Sequence, residues 1–146
     1  MRMKKILLML SVLPLAFMAH AETTSSAKVD VLVKSDQSWN GIPYTAYPSG
    51  RPELTVLKFH IPAHTALPWH THPIPNAGYV LSGQITIEDR DSGKKQTYTS
   101  GQAFTESVGA VHRGVTGDQP VELIVTYSGT AGTPTFVAEK GQKPEY

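Results

Sequence analysis

A chain of 146 residues without cysteine has the length for one domain with its own core and excludes a disulfide framework. Its formal charge of +1 belongs to its first residues: without Arg2, Lys4 and Lys5 the basic count falls from 13 to 10 against 12 acids, a formal charge of −2. A nearly neutral domain with no basic patch gives no footing for nucleic acid.

In chain order, Met1–Lys5 is a basic stretch, Ile6–Met18 an apolar run broken by Pro14, and Ala19-His20-Ala21 a small-residue cleavage site. Together they predict a secretory signal peptide over 1–21, and export of the remaining 125 residues to a periplasm or the exterior. The run is short of the ~20 apolar residues a bilayer span needs, so no membrane association is expected after cleavage. Residues 22–37 are expected to form an N-terminal segment in which Val29, Val31 and Val33 mark the apolar face of a first strand. Residues 38–130 are expected to form a β-barrel, with 131–146 as a C-terminal tail.

Within that barrel, Ser38–Pro52 carries Gly41, Pro43, Pro48, Gly50 and Pro52 and reads as a loop. Leu54–Ile61 is β-rich and stops at Pro62. Gly78–Ser82 and Gln84–Glu88 are two short strands broken at Gly83. The turn chemistry of Asp89–Gly93 predicts a hairpin into a strand near Gln96–Thr99. Ala103–Val108 and Val121–Tyr127 follow as strands, and Thr135–Val137 is a candidate last one. Beyond the first residues no window holds a helical period, and many short strands predict an all-β sandwich or barrel.

Chemistry concentrates in Trp69-His70-Thr71-His72-Pro73 and in His112. Histidines at i and i+2 share one face of a strand, so His70 and His72 can reach one ion, with His112 from a neighbouring strand completing a facial set. Imidazole nitrogen suits Fe, Mn, Ni, Cu and Zn alike, so a divalent transition metal is expected and its identity is not. His60, in a strand, and His64, in a Pro-bounded connector, read as core or surface residues. His64 either fills a turn that needs positive φ or joins or supports the metal site. Trp69, Phe59, Tyr79 and Tyr127 read as core or pocket lining.

These residues resemble the cupin superfamily of jelly-roll β-barrels, whose first motif is G-x5-H-x-H-x3,4-E-x6-G and second G-x5-P-x-G-x2-H-x3-N. His70, His72 and Gly83 fall in register with the first; Gly101, Gly109 and His112 match the second, with Ser107 at the proline and Thr116 at the asparagine position. The resemblance implies a single-domain cupin barrel, a homodimer joined through sheet edges, and a metal site at His70, His72 and His112. It departs at two positions: Asn76 stands where the family has its glutamate ligand, and His64 at the first glycine. The expected centre is therefore three histidines with water in the open positions, a charge balance that favours an anionic or chelating small molecule.

Three residues near the motifs are candidates for assisting roles. Glu106 is the one carboxylate in the segment leading to His112, and shares a strand face with Phe104. Its carboxylate either is solvated, or reaches the metal or acts as a base in place of what Asn76 lacks. Asn76 would hydrogen-bond a bound water or substrate, or cap a turn after Pro75. Arg113 would hold an anionic substrate, or lie exposed. Two functions remain open: a metalloenzyme of the dioxygenase, isomerase or lyase kind suggested by the resemblance, and a non-catalytic metal- or ligand-binding module. The depth of the barrel interior above the metal discriminates them.

Overall fold

A computed structural model describes residues 26–144 and 146. The expected signal peptide lies outside the described residues. Among the described residues nine strands form: β1 (Pro52–Ile61), β2 (His70–Thr71), β3 (Asn76–Ser82), β4 (Gln84–Asp89), β5 (Lys95–Thr99), β6 (Ala103–Thr105), β7 (His112–Thr116), β8 (Val121–Thr130) and β9 (Val137–Ala138). They pair into a four-stranded sheet, β1-β8-β3-β6, and a five-stranded sheet, β5-β4-β7-β2-β9, each antiparallel throughout. The two sheets face each other without closing, a jelly-roll sandwich. Among the described residues no helix is long and apolar enough to cross a membrane.

Strand alternation builds the core. Leu57, Phe59 and Ile61 of β1 lie opposite Val125, Leu123 and Val121 of β8, and all six belong to or pack against one cluster. Val80, Ile85, Ile87, Tyr98 and Phe104 add to it from β3, β4, β5 and β6. Alternation puts every second side chain of each strand inside, and both sheets direct those faces at one another.

Two glycines are required by geometry. Gly83, at φ +77°, lets the chain leave β3 for β4 in the opposite sheet; a Cβ there would sit 2.3 Å from the Pro120 carbonyl oxygen. Gly78 lies beneath the Phe104 ring, where a Cβ would come within 2.3 Å of Cζ.

The strand expected around Val29–Val33 does not form. Residues 26–35 belong to no ladder, and Val29 and Val31 are 77% and 75% exposed. Alternation prescribes a face, but a strand also needs a free sheet edge beside it, which this segment does not meet. The chain immediately after it is anchored: Trp39 N donates to Thr105 O (3.0 Å), Thr105 Oγ1 to Gln37 O (2.8 Å), and Tyr44 Oη to Glu106 O (2.6 Å). Residues 37–44 thus strap the open edge of β6. The buried Asn40 Nδ2 donates to Asp89 (2.7 Å), and Lys94 Nζ to Asn40 O (2.8 Å), tying the strap to the β4–β5 hairpin.

Candidate metal centre

The short strand β2 lies between β7 and β9, with His70 directly opposite His112. His72 follows one residue past β2, held by a parallel bridge to Val108 and by Gly109 N donating to its carbonyl (2.9 Å). The ligating atoms of His70, His72 and His112 all lie within 4.8 Å of one another, and each residue is no more than 4% exposed.

The outer nitrogens fix which way these rings face. His70 Nδ1 lies 2.8 Å from Pro68 O, His72 Nδ1 2.6 Å from Thr135 O, and His112 Nδ1 2.9 Å from Ala110 O. A carbonyl only accepts, so each Nδ1 carries a proton and Nε2 is the atom that faces the centre; at His72 that atom also donates to Glu106 Oε2, 2.7 Å away. Metal-ligating histidines are oriented in this way by an acceptor behind the ring.

Burial pushes the His70 imidazole down to about 3, and the nearby His112 and His72 add to that fall. Burial also lowers His112, against the opposing pull of Glu106. Both rings are thereby kept in the neutral, ligating form. Nε2 of His112 has no hydrogen-bond partner although it is buried. Nε2 of His70 lies 3.3 Å from Nε2 of His72, close enough for both to face one cation. The donor set fits a divalent transition metal: three Nε2 atoms on one side of a point, with the proton that His72 shares with Glu106 released when a cation binds.

Glu106 turns inward. One residue past β6, it is on the four-stranded sheet, facing the histidines across the sandwich; its side chain is 12% exposed. Its Oε2 lies 2.7 Å from His72 Nε2 and its Oε1 3.9 Å from His112 Nε2. Burial alone would raise its carboxyl, but the charge and hydrogen bond of His72, with His112 and His70 behind, outweigh this and hold it down to about 2. Glu106 is therefore not the solvated strand residue that was one of its two readings: its carboxylate faces the histidines.

The other candidates lie elsewhere. Asn76 is buried, its Nδ2 donating to Ile74 O (3.3 Å) and its Oδ1 without a partner, and it does not line the cavity beside the histidines. Arg113 corrects the expectation that it holds a substrate. It alternates with His112 along β7 and points to the outer face, where Nε and Nη2 bind Glu88 Oε2 (2.9 and 2.8 Å) and the guanidinium stacks on Trp69 at 4.3 Å. Trp69 is therefore the seat of that arginine. His60 pairs with Glu122 (2.8 Å) and His64 approaches Asp118 (3.7 Å), both largely exposed and away from the centre. His64 has φ 53°, the positive-φ turn for which its place at the missing glycine suited it.

Sequence reasoning gave the tail a candidate strand at Thr135–Val137 but no part in the site. Thr135 supplies the carbonyl behind His72, the Phe136 ring packs on His70 (centroids 4.6 Å apart), and β9 pairs with β2. It also left Tyr127, whose ring lies 5.6 Å from that of His72, undivided between core and site. The space beside the histidines is a cavity of about 30 Å³, lined by apolar side chains such as Phe59, Leu67, Ile85 and Leu123 together with His70, His72 and Glu106. That volume suits a water-sized guest.

The family model described as the cupin domain matches residues 57–127, a span that contains all three histidines and Glu106. Residues 57–127 are a cupin domain. No curated protein matches the chain by sequence. Solved structures share the fold: a polyketide cyclase of Streptomyces resistomycificus is similar at 23% identity and a TM-score of 0.51, over 58% of this chain and 59% of that one. A DMSP lyase of Ruegeria pomeroyi is similar at 20% identity and a TM-score of 0.55, over 71% and 49%. An oxalate decarboxylase of Lactobacillus farciminis is similar at 14% identity and a TM-score of 0.51, over 58% and 26%. The chain thus spans less than two thirds of each of these proteins. A cyclase, a lyase and a decarboxylase on one fold leave the choice of chemistry to the site itself.

Proposed function

We propose that this cupin holds a divalent transition metal on Nε2 of His70, His72 and His112 and acts there on a small molecule, as a metalloenzyme of the dioxygenase, isomerase or lyase kind. The observation that carries the reading is the convergence of three buried Nε2 atoms, each ring locked from behind by a carbonyl acceptor. A metal bound there would polarise an oxygen-bearing ligand or support redox chemistry. The chain's own contribution is orientation and dryness: His70, His72 and His112 fix one face of the site, Phe136 and Phe59 exclude water, and Glu106 places an ionised carboxylate across from them, with Oε2 at His72 Nε2. Export belongs to the same reading and rests on the sequence of residues 1–21. So does a homodimer, supported by the edge strand β1 with Leu54 and Val56 exposed.

A second reading, a non-catalytic metal-binding module, is favoured by one observation. The cavity of about 30 Å³ has room for a water-sized guest and none for a larger substrate unless the side chains around it move.

The test is elemental analysis of the untagged protein from its native compartment, beside alanine variants of His70, His72, His112 and His60. One metal per chain is expected in the parent and in His60→Ala, with loss of tight binding in the other three. Equal metal content in all four variants would sink the site. A redox-active metal directs the search to oxygen-dependent substrates, and zinc to Lewis-acid chemistry or a structural role.

A further inference from the structure

Resting on that metal reading, we propose that the fourth protein ligand is Glu106, a carboxylate delivered from the strand next to the one on which the cupin motif has its glutamate. The motif position is Asn76, at the start of β3. In the β3–β6 ladder Ala77 lies opposite Thr105 and Gly78 opposite Phe104, and Glu106 N donates to Asn76 O at 3.1 Å. Glu106 is thus the cross-strand neighbour of Asn76, where directly opposed residues have Cβ atoms about 4.5–5.5 Å apart. A carboxylate moved by that distance stays on the same sheet and the same side of the sandwich, facing the same histidines.

The Glu106 backbone is fixed on both sides, by Asn76 O on its nitrogen and by Tyr44 Oη on its carbonyl. The side chain lines the cavity and brings Oε2 to 2.7 Å from His72 Nε2 and Oε1 to 3.9 Å from His112 Nε2. A carboxylate this close to two imidazole Nε2 atoms shares one cation with them once the proton between His72 and Glu106 is displaced. Asn76 keeps its amide engaged with Ile74 O and contributes no charge. With Glu106 bound, a divalent ion on three neutral imidazoles would carry a net charge of +1 rather than +2. That removes much of the pull toward an anionic substrate which a purely histidine centre would have.

The experiment is titration of the chelator-stripped, full-length protein with Co(II), read by its d–d absorption and by competition with a chromophoric chelator. The proteins compared are the parent, Glu106→Gln, Glu106→Asp, and Glu106→Gln combined with Asn76→Glu, each first shown to melt cooperatively. Removal of a group that only orients a ligand costs about 10–100-fold in metal affinity. Glu106→Gln is expected to lose more than that and to change the d–d spectrum. Glu106→Asp, retracted by one methylene, should fall between, and Asn76→Glu should recover at least tenfold of what Glu106→Gln lost. An unchanged spectrum with less than a tenfold loss in both Glu106→Gln and Glu106→Asp overturns the assignment and leaves the three-histidine centre standing. If Glu106→Gln does not fold, the Glu106→Asp comparison decides alone. No Co(II) uptake by the parent would instead refute the metal reading, and this assignment with it.

Discussion

Ending the chain at Thr130 tests whether the tail belongs to the metal centre or merely lies over it. The truncation removes the Thr135 carbonyl that accepts from His72 Nδ1 at 2.6 Å, the Phe136 ring against His70, and the β9 partner of β2. Loss of an acceptor behind a ligating histidine costs about 10–100-fold in metal affinity, or roughly 1.4–2.7 kcal/mol. Loss of a ring contact of this kind costs about 0.5–1.5 kcal/mol more. Together they come to about 2–4 kcal/mol, or roughly 30- to 1,000-fold weaker binding. The four-stranded sheet does not use the tail, so cooperative melting should survive. The assay is competition for the metal against a chelator of known affinity, with thermal unfolding of the metal-free proteins as the control. A truncated protein that melts cooperatively and binds metal within threefold of the full chain would refute the reasoning.

Two further outcomes concern the scaffold. Gly78→Ala places a Cβ 2.3 Å from Phe104 Cζ, an overpacking that should cost about 1–3 kcal/mol and lower the melting temperature by roughly 5–15 °C, with partial recovery when Phe104→Leu is added. An unchanged melting temperature in the single variant would show that the ring moves aside freely. Glu88 accepts from Lys95 Nζ at 2.5 Å and from Arg113, and the Lys95 bond, ahead of Arg113 and against the cost of burial, lowers its carboxyl. A lowered carboxyl stabilises the fold fully above its unfolded value and loses that contribution as pH falls through the folded one. Glu88→Gln should therefore destabilise the protein on the order of 1 kcal/mol at pH 7 and flatten its acid limb below about pH 4.5 in urea titrations. A parallel shift at every pH would mean that the charge is not what matters.

The fold was legible because its information is local. Leu54–Ile61 is rich in β-formers, Val121–Tyr127 is a near-continuous apolar run, Gly83 breaks β3 from β4, and Asp89–Gly93 turns β4 into β5; each appears as a strand or turn within a few residues of the expected place. The three histidines were legible for the same reason. A two-residue spacing fixes a face, and the register of the second motif fixes the neighbouring strand. The segment around Val29–Val33 shows where this logic stops. Val29, Val31 and Val33 mark one face there, yet pairing depends on an edge supplied from elsewhere, and no local pattern encodes that.

The centre asks for more than a face, because a metal site is closed by acceptors behind its ligands and by whatever sits across the cavity. The carbonyl behind His72 comes from Thr135, 63 residues away, and a backbone carbonyl has no residue-type signature. Arg113 misled for a related reason. Adjacent to His112 in sequence, it is on the opposite face in a strand, and period-two geometry already forbade it from sharing the ligand's site. Applied to the segment before His112, the same rule puts Glu106 on the face of Phe104, and one apolar neighbour tells which way that face points. Phe104 at 2% exposure turns the pair inward, so the direction of Glu106 follows from the demand to bury a phenyl ring. The carboxylate at the histidines is in that sense a consequence of packing: the strand that must bury Phe104 carries Glu106 in with it, and a buried carboxylate requires a cation or a donor beside it.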